Sequence, residues 1–204
     1  MLKAGQAIPG DAKLVLIPGS KSTRGDLNFL REQGWDIDLY AHYRRGGHIL
    51  GLCGGYQMLG KQIDDPDGLD GPAGRTEGLG LLDVKTEMLP EKTLRKITAI
   101  HRDSSLVVEG YEIHLGKTTG EDCKQPFAYL DKEPEGACSK DGRISGSYLH
   151  GLFCSDGFRS AFLENLGVSG GDLKYEKNLD DILNKLAKHI EDQLDVDALI
   201  EVAK

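Results

Sequence analysis

The sequence predicts an α/β fold with a mainly parallel central sheet, helices on both faces of that sheet, and a strand-rich second half. Over residues 13–60, short apolar segments alternate with segments of helical periodicity, a pattern that favours a parallel sheet. The first apolar segment, residues 13–17, is short and ends at Pro18-Gly19-Ser20, as a buried strand does. Beyond residue 80, strand-like segments follow one another with few helices between them.

The composition is that of one globular domain, which we assign to residues 1–204. Hydrophobic residues make up 39% of the 204 and charged residues 28%. A chain of this length buries roughly 70% of its unfolded surface, so its core needs neither disulfides nor a structural metal. The formal net charge is −8 and no basic stretch stands out, so a nucleic-acid partner is not expected.

The sequence indicates a cytoplasmic protein without a metal site. No apolar segment approaches the ~18–20 residues of a membrane helix, and residues 1–9 lack the apolar stretch of a signal peptide. No Cys-x-x-Cys spacing is present, which disfavours both a disulfide framework and a zinc site. The four cysteines are Cys53, Cys123, Cys138 and Cys154.

The first elements follow from apolar runs and the residues that end them. Residues 13–17 predict a buried strand that stops at Pro18-Gly19-Ser20. A helix follows and ends at Gly34, and a second helix is predicted over residues 36–45. Residues 48–52 then predict another short strand, which leads directly into a helix.

The middle of the chain reads as one long loop followed by strands. Residues 64–80 are dense in Asp, Gly and Pro, which predicts a loop. Strands are predicted over residues 79–88, 97–101, 106–115, 128–130 and 143–148.

Helices are predicted at the C-terminal end. One spans residues 156–166 with Asp156 as its cap, and the C-terminal helices over residues 178–204 begin at an Asn178 cap. An apolar stripe with spacings of three and four runs along the first of these, formed by Leu179, Ile182, Leu183, Leu186, Ile190 and Leu194. We expect the stripe in the core; the alternative is that it covers a face contacted by a partner domain.

Cys53 is the candidate nucleophile. Glycines flank it on both sides between a predicted strand and a predicted helix, as in a nucleophile elbow. The N-terminus of a helix favours a thiolate, and its free N–H groups can stabilise an oxyanion. The alternative is a small buried hydrophobic residue at a strand end, which would not require glycines on both sides.

A thiol nucleophile needs a base, for which His150 is the leading candidate. It follows a strand-like segment, residues 145–149, and precedes Gly151, which would place its ring at a strand end where α/β proteins bind ligands. His114 is the second candidate. The remaining histidines are expected at the surface or in packing roles: His42, His48, His101 and His189.

Several segments of the sequence together resemble a known family of enzymes. Gly51-Leu52-Cys53-Gly54-Gly55-Tyr56-Gln57-Met58-Leu59-Gly60 resembles the nucleophile motif of class I, triad-type glutamine amidotransferases, which have a flavodoxin-like fold. Further segments resemble the C-terminal amidotransferase domain of cobyric acid synthases: residues 18–23 with Asp26-Leu27, 77–82, 111–116 and 148–153. The match covers residues 12–166 in the same order; the C-terminal helices are less diagnostic.

The resemblance implies glutamine hydrolysis. The Cys53 thiolate would attack the side-chain amide of L-glutamine, ammonia would leave, and water would release glutamate from a thioester. His150 would be the base and acid, and the backbone N–H groups of Gly19 and Gly54 would form the oxyanion hole. Gln57 is a candidate substrate ligand, with helix packing as an equal alternative.

Two departures from the wider class matter. Leu152 stands where triad amidotransferases carry a glutamate. Cobyric acid synthases also lack this glutamate, so the identity of the third catalytic group is left undetermined. Glu112 is a candidate for it, with a structural role equally supported. The chain also contains no Gly-x-x-x-x-Gly-Lys-Ser/Thr run, so the ATP-binding synthetase domain of these enzymes is not part of it.

The resemblance therefore implies a partner. A synthetase domain, in the same or another chain, would bind ATP, Mg²⁺ and the corrin substrate and use the ammonia in cobalamin biosynthesis; no cofactor is expected in this domain. One alternative is an amidotransferase subunit of another ligase, such as lipid II isoglutaminyl synthase, which lacks similarity over residues 18–26. Another is a catalytically inactive regulatory module, which the presence of Cys53 and His150 disfavours.

Three further residues near these motifs are not expected to take part in catalysis or metal binding. Lys21 and Arg24 lie beside the predicted oxyanion loop, and a solvated pair at a helix start is favoured over contact with substrate or partner. Cys154 lies four residues after His150, but no other ligand stands at a suitable spacing for a metal.

Overall fold

The computed structural model describes residues 1–169 and 174–203, without the side chains of residues 91–93. Its strands are β1 Leu14–Ile17, β2 His48–Leu52, β3 Gln62–Asp65, β4 Gly74–Glu77, β5 Val84–His101, β6 Val107–Gly120, β7 Ala128–Leu130, β8 Glu133–Glu135, β9 Ala137–Cys138, β10 Ile144–Ser147 and β11 Leu149–His150. Its helices are α1 Thr23–Glu32, α2 Trp35–Arg44, α3 Gly54–Leu59, α4 Asp156–Asn165, α5 Tyr175–Gln193 and α6 Val196–Val202.

Among the described residues, one sheet has four strands in the order β1-β2-β10-β9. β2 lies between β1 and β10 and is parallel to both, and β9 closes one edge antiparallel to β10. Gly51 of β2 is in register with Ile17 on one side and Gly146 on the other. The carboxyl ends of three parallel strands therefore meet at one edge, which confirms the predicted class of fold.

The larger sheet confirms that the second half of the chain is strand-rich. Its order is β11-β6-β5-β3-β4, with β7 and β8 added at the side, and the long hairpin of β5 and β6 forms most of it. Residues 64–80 were predicted as loop, yet they contain β4, whose Thr76 pairs with Ile63 of β3. The strands predicted over residues 79–88 and 97–101 are parts of one strand, β5.

Helices cover both faces of the parallel sheet. Neighbouring residues of a strand point to opposite faces, and in β2 Ile49 belongs to one buried cluster and Leu50 to another. The Ile49 cluster includes Leu27 of α1 and Leu39 of α2, and the Leu50 cluster includes Phe158 of α4. The apolar character of β2 follows from burial on both faces.

The C-terminal helices differ from their prediction. α5 begins at Tyr175, so Asn178 lies inside it, and α4 is preceded by Ser155 as its cap. No α5 residue in the described chain is buried, and Ile182 of the apolar stripe is 61% exposed. The expectation that the stripe lies in the core is wrong, because periodicity identifies an apolar face but not what packs on it. Among the described helices, none is long and apolar enough to cross a bilayer.

Candidate active site

Cys53 lies at a sharp turn between β2 and α3. Its backbone has φ 52° and ψ −113°, a region that side-chain-bearing residues rarely adopt. Its N–H donates to the Ser147 carbonyl at 2.8 Å, which ties the turn to β10. The strain falls on Cys53 itself, and the flanking glycines serve close packing: a Cβ on Gly55 would lie 2.1 Å from the Ile17 carbonyl oxygen. This is the backbone geometry of a nucleophile elbow.

The environment of the Cys53 side chain favours the thiol over the thiolate. The group is half-buried and its Sγ donates to the Ile113 carbonyl oxygen at 3.4 Å. Burial raises the pKa of the Cys53 thiol, and the opposing effect of the Gly54 N–H is smaller. The expectation that the N-terminus of the short helix α3 makes Cys53 a thiolate is therefore not met, so a base must remove its proton.

His150 and Gly19 meet beside the Cys53 side chain. A Cβ built on Gly19 would lie 3.9 Å from the Cys53 Sγ and 3.6 Å from the His150 Cε1. Three residues far apart in sequence thus border one small volume. Gly54 adjoins it, since a Cβ there would lie 3.0 Å from the Ser20 backbone nitrogen.

The His150 ring is positioned by stacking. Its plane lies 3° from that of Tyr111, with ring centroids 5.5 Å apart. The buried His150 Nε2 has no hydrogen-bond partner among the described residues. A carboxylate that fixes the imidazole, as in a triad, is thus missing from the described surroundings of His150.

Glu112 serves a different histidine. Its carboxylate oxygens lie 2.7 Å from the His114 Nε2 and accept from the Arg95 Nε at 2.7 Å. The hydrogen bond with His114 and the Arg95 guanidinium hold the pKa of Glu112 below its ordinary value. The suggestion that Glu112 is the third catalytic group is wrong for this structure, because its carboxylate does not face His150. His114 itself stacks on Tyr148 at 3.8 Å.

Glu135, a residue that no sequence pattern indicated, holds the segment that leads to His150. The buried Glu135 carboxylate accepts from the Ser147 Oγ at 2.9 Å and from the Tyr148 N–H at 2.6 Å. Burial raises its pKa from 4.5 to about 7. Because the neutral form is favoured in the fold, its contribution to stability is complete below pH 4.5 and is lost as pH rises through about 7.

We expect Glu135→Gln to remove this pH dependence. Relative to wild type, the variant's free energy of unfolding should rise by about 2 to 3 kcal/mol between about pH 5 and about pH 8, since it has no carboxyl group to ionise. Urea denaturation at both values measures the difference. Glu133→Gln, an exposed change in the same strand, should show no such rise, and an equal rise in both variants would contradict the assignment.

A cavity of about 720 Å³ opens beside Cys53. We call it the cysteine cavity; its lining is Gly19, Ser20, Lys21, Thr23, Cys53, Gln57, Leu69, Asp70, Met88, Ile113, His114, Leu115 and His150. Gln57 accepts from the Thr23 Oγ1 at 3.1 Å and donates to the Leu115 carbonyl at 3.0 Å. Its polar atoms thus already have protein partners in the cavity wall. The described residues contain no cluster of His, Cys, Asp or Glu suited to a metal ion.

Arg24 is not the solvated residue that the sequence predicted. Its guanidinium donates to the Thr76 Oγ1 at 2.8 Å and to the Pro72 carbonyl at 2.6 Å, and pairs with Asp65 at 3.3 Å. Lys21 is exposed on the cavity rim, as expected. Burial alone would raise the pKa of Asp65, but hydrogen bonds from the Asp70 and Leu69 N–H groups and the Arg24 charge lower it. Asp65 is therefore a buried anion that organises the neighbouring loop.

Solved structures share this fold. One is described as a glutamine amidotransferase and aligns with a TM-score of 0.53 at 19% identity, covering 76% of this chain and 80% of that one. Another, PurLQS from Thermotoga maritima, aligns with a TM-score of 0.52 at 17% identity, covering 89% of this chain and 82% of that one. The fold is that of the class I glutamine amidotransferases.

The family is narrower than the class. A family model for the CobB/CobQ-like glutamine amidotransferase domain matches residues 1–158, and the chain belongs to this family. The predicted resemblance is confirmed.

Relatives of known name agree with this assignment. The chain is 61% identical over 204 residues to a cobyric acid synthase of Bradyrhizobium diazoefficiens. It is 56% and 57% identical over the same length to cobyric acid synthases of Cereibacter sphaeroides and Rhodobacter capsulatus. Each alignment covers 100% of this chain and 42% of the relative, so the chain spans less than half the length of these proteins.

Proposed function

We propose that this domain hydrolyses L-glutamine to glutamate and ammonia through a thioester on Cys53. The observation that carries the proposal is the meeting of a strained cysteine, His150 and Gly19 around one volume in the cysteine cavity. Membership of a glutamine amidotransferase family supplies the substrate class.

In this mechanism His150 acts as both base and acid. Its ring removes the proton from the Cys53 thiol as Sγ bonds to the side-chain carbonyl carbon of glutamine. The negative charge on the tetrahedral oxygen is stabilised by the backbone N–H groups of Gly19 and Gly54. His150 then donates its proton to the departing amide nitrogen, which leaves as ammonia. Water, deprotonated by His150, breaks the thioester and regenerates the thiol.

The ammonia is destined for a synthetase domain. The cobyric acid synthases similar to this chain are more than twice its length, so a second functional part accompanies the amidotransferase in those proteins. We place ATP, Mg²⁺ and the corrin substrate on that part, where ammonia amidates corrin carboxylates during cobalamin biosynthesis. The names of these relatives favour a corrin acceptor over a cell-wall lipid precursor.

Covalent labelling tests the proposal. We expect a diazoketone analogue of glutamine to form one adduct, on Cys53, as read by intact mass and peptide mapping. Excess L-glutamine should protect the site, and Cys53→Ser should not be labelled. An adduct spread over Cys123, Cys138 and Cys154, or one that glutamine does not slow, would contradict a glutamine site at Cys53.

A further inference from the structure

The cysteine cavity holds one fixed carboxylate. Of the described residues that line it, Asp70 is the only one with a carboxyl group. Its two oxygens accept the backbone N–H groups of Thr23 at 3.0 Å and Arg24 at 2.8 Å. A carboxylate has about four lone-pair sites, so each oxygen keeps capacity for a further donor.

The loop that carries Asp70 is held in place by Asp65, the last residue of β3. Residues 66–73 connect β3 to β4, and the fully buried Asp65 accepts the N–H groups of Leu69 at 2.8 Å and Asp70 at 2.9 Å. Asp65 is in turn paired with Arg24 at 3.3 Å. The position of the Asp70 carboxylate is thus set before any ligand binds, which lowers the entropic cost of using it.

Asp70 also lies close to the elbow. It bonds to Thr23, whose Oγ1 donates to Gln57 and lies 3.0 Å from where a Cβ on Gly54 would be. One residue therefore separates Asp70 from the turn that carries the nucleophile. Lys21 lines the same cavity, so the cavity wall carries a lysine ammonium as well as the Asp70 carboxylate.

We propose that Asp70 binds the α-ammonium group of the substrate, so that the cavity selects α-amino acids over amides without that group. The inference rests on the proposed function, which places the amide end of glutamine at Cys53. The other end of glutamine is zwitterionic, and an ammonium group donates well to a carboxylate that lines the cavity, as Asp70 does.

Two probes separate this role from a purely structural one. The first is the diazoketone analogue of glutamine, and the second is the same diazoketone without its α-amino group. For wild type, the second-order rate of Cys53 labelling should be about 10 to 100 times higher with the first probe, because a hydrogen bond between charged groups is stronger than a neutral one. In Asp70→Asn the ratio should fall to about threefold or less, mainly through slower reaction of the first probe.

Matched variants complete the test. Asp67→Asn, an exposed change in the same loop, should keep the wild-type ratio. Asp70→Glu restores the charge and should recover part of it. Equal slowing of both probes in Asp70→Asn, or equal rates in wild type, would overturn the inference while leaving glutamine chemistry at Cys53 intact. Absence of any Cys53 adduct in wild type would instead overturn the proposed function.

Discussion

Cys53→Ser should lower the rate of glutamine hydrolysis by about 10³-fold or more while leaving the fold unchanged. Serine has the size of cysteine, tolerates the same strained backbone, and keeps the N–H bond to Ser147. Its hydroxyl is far less acidic than a thiol, and His150 lacks the carboxylate partner that activates serine nucleophiles elsewhere. Glutamate release in a coupled assay measures the loss, and circular dichroism checks the fold.

Replacement of His150 provides a second test of the same site. His150→Asn should slow the reaction by about 10²–10⁴-fold, the usual contribution of a general base. Because burial raises the pKa of Cys53, the residual rate should increase about tenfold per pH unit through the neutral range, as the thiolate fraction does. A residual rate that does not change with pH would show that Cys53 ionises without help.

Cys154→Ser is the matched control for both variants. Cys154 is also a free, partly buried cysteine and lies outside the lining of the cysteine cavity. Its replacement should leave glutamine hydrolysis within about twofold of wild type. Loss of activity in Cys154→Ser, or full activity in Cys53→Ser, would contradict Cys53 as the nucleophile.

The sequence predicts those parts of the site that depend on local order. A glycine-flanked cysteine between an apolar strand and a helix is enough to predict the elbow, because the turn is made by consecutive residues. The pairing of Glu112 with His114 could also have been predicted from the sequence. Residues two apart in a strand share a face, so Glu112 and His114 in β6 are neighbours, whereas His150 lies on a separate strand.

Contacts distant in sequence were not predictable in this way. The loop carrying Asp70 is fixed by Asp65, and both residues are contacted by Arg24, which precedes Asp65 by 41 residues and Asp70 by 46. Its composition predicted only irregular structure, and no local pattern indicates which buried group anchors a loop. The prediction that the apolar stripe of α5 lies in the core was wrong for the same reason, since amphipathic periodicity does not identify the surface that packs on it.

Gly55→Ala should destabilise the protein by about 3 kcal/mol or more. Helix propensity alone predicts the opposite sign, because alanine is favoured over glycine by about 1 kcal/mol inside a helix. The new Cβ, however, would lie 2.1 Å from the Ile17 carbonyl oxygen and 2.9 Å from that of Pro18. Both are backbone atoms, and Ile17 is held in register with Gly51 by β2, so its carbonyl cannot move away without disturbing the sheet that positions Cys53.

Gly157→Ala isolates the clash from the propensity. Gly157 is the second residue of α4 as Gly55 is of α3, and no atom lies within 4 Å of a Cβ built there. Its replacement should leave stability unchanged or raise it by up to about 1 kcal/mol. Soluble yield and urea denaturation of the two variants measure the difference. Equal stability of Gly55→Ala and Gly157→Ala would contradict the close packing of α3 against β1.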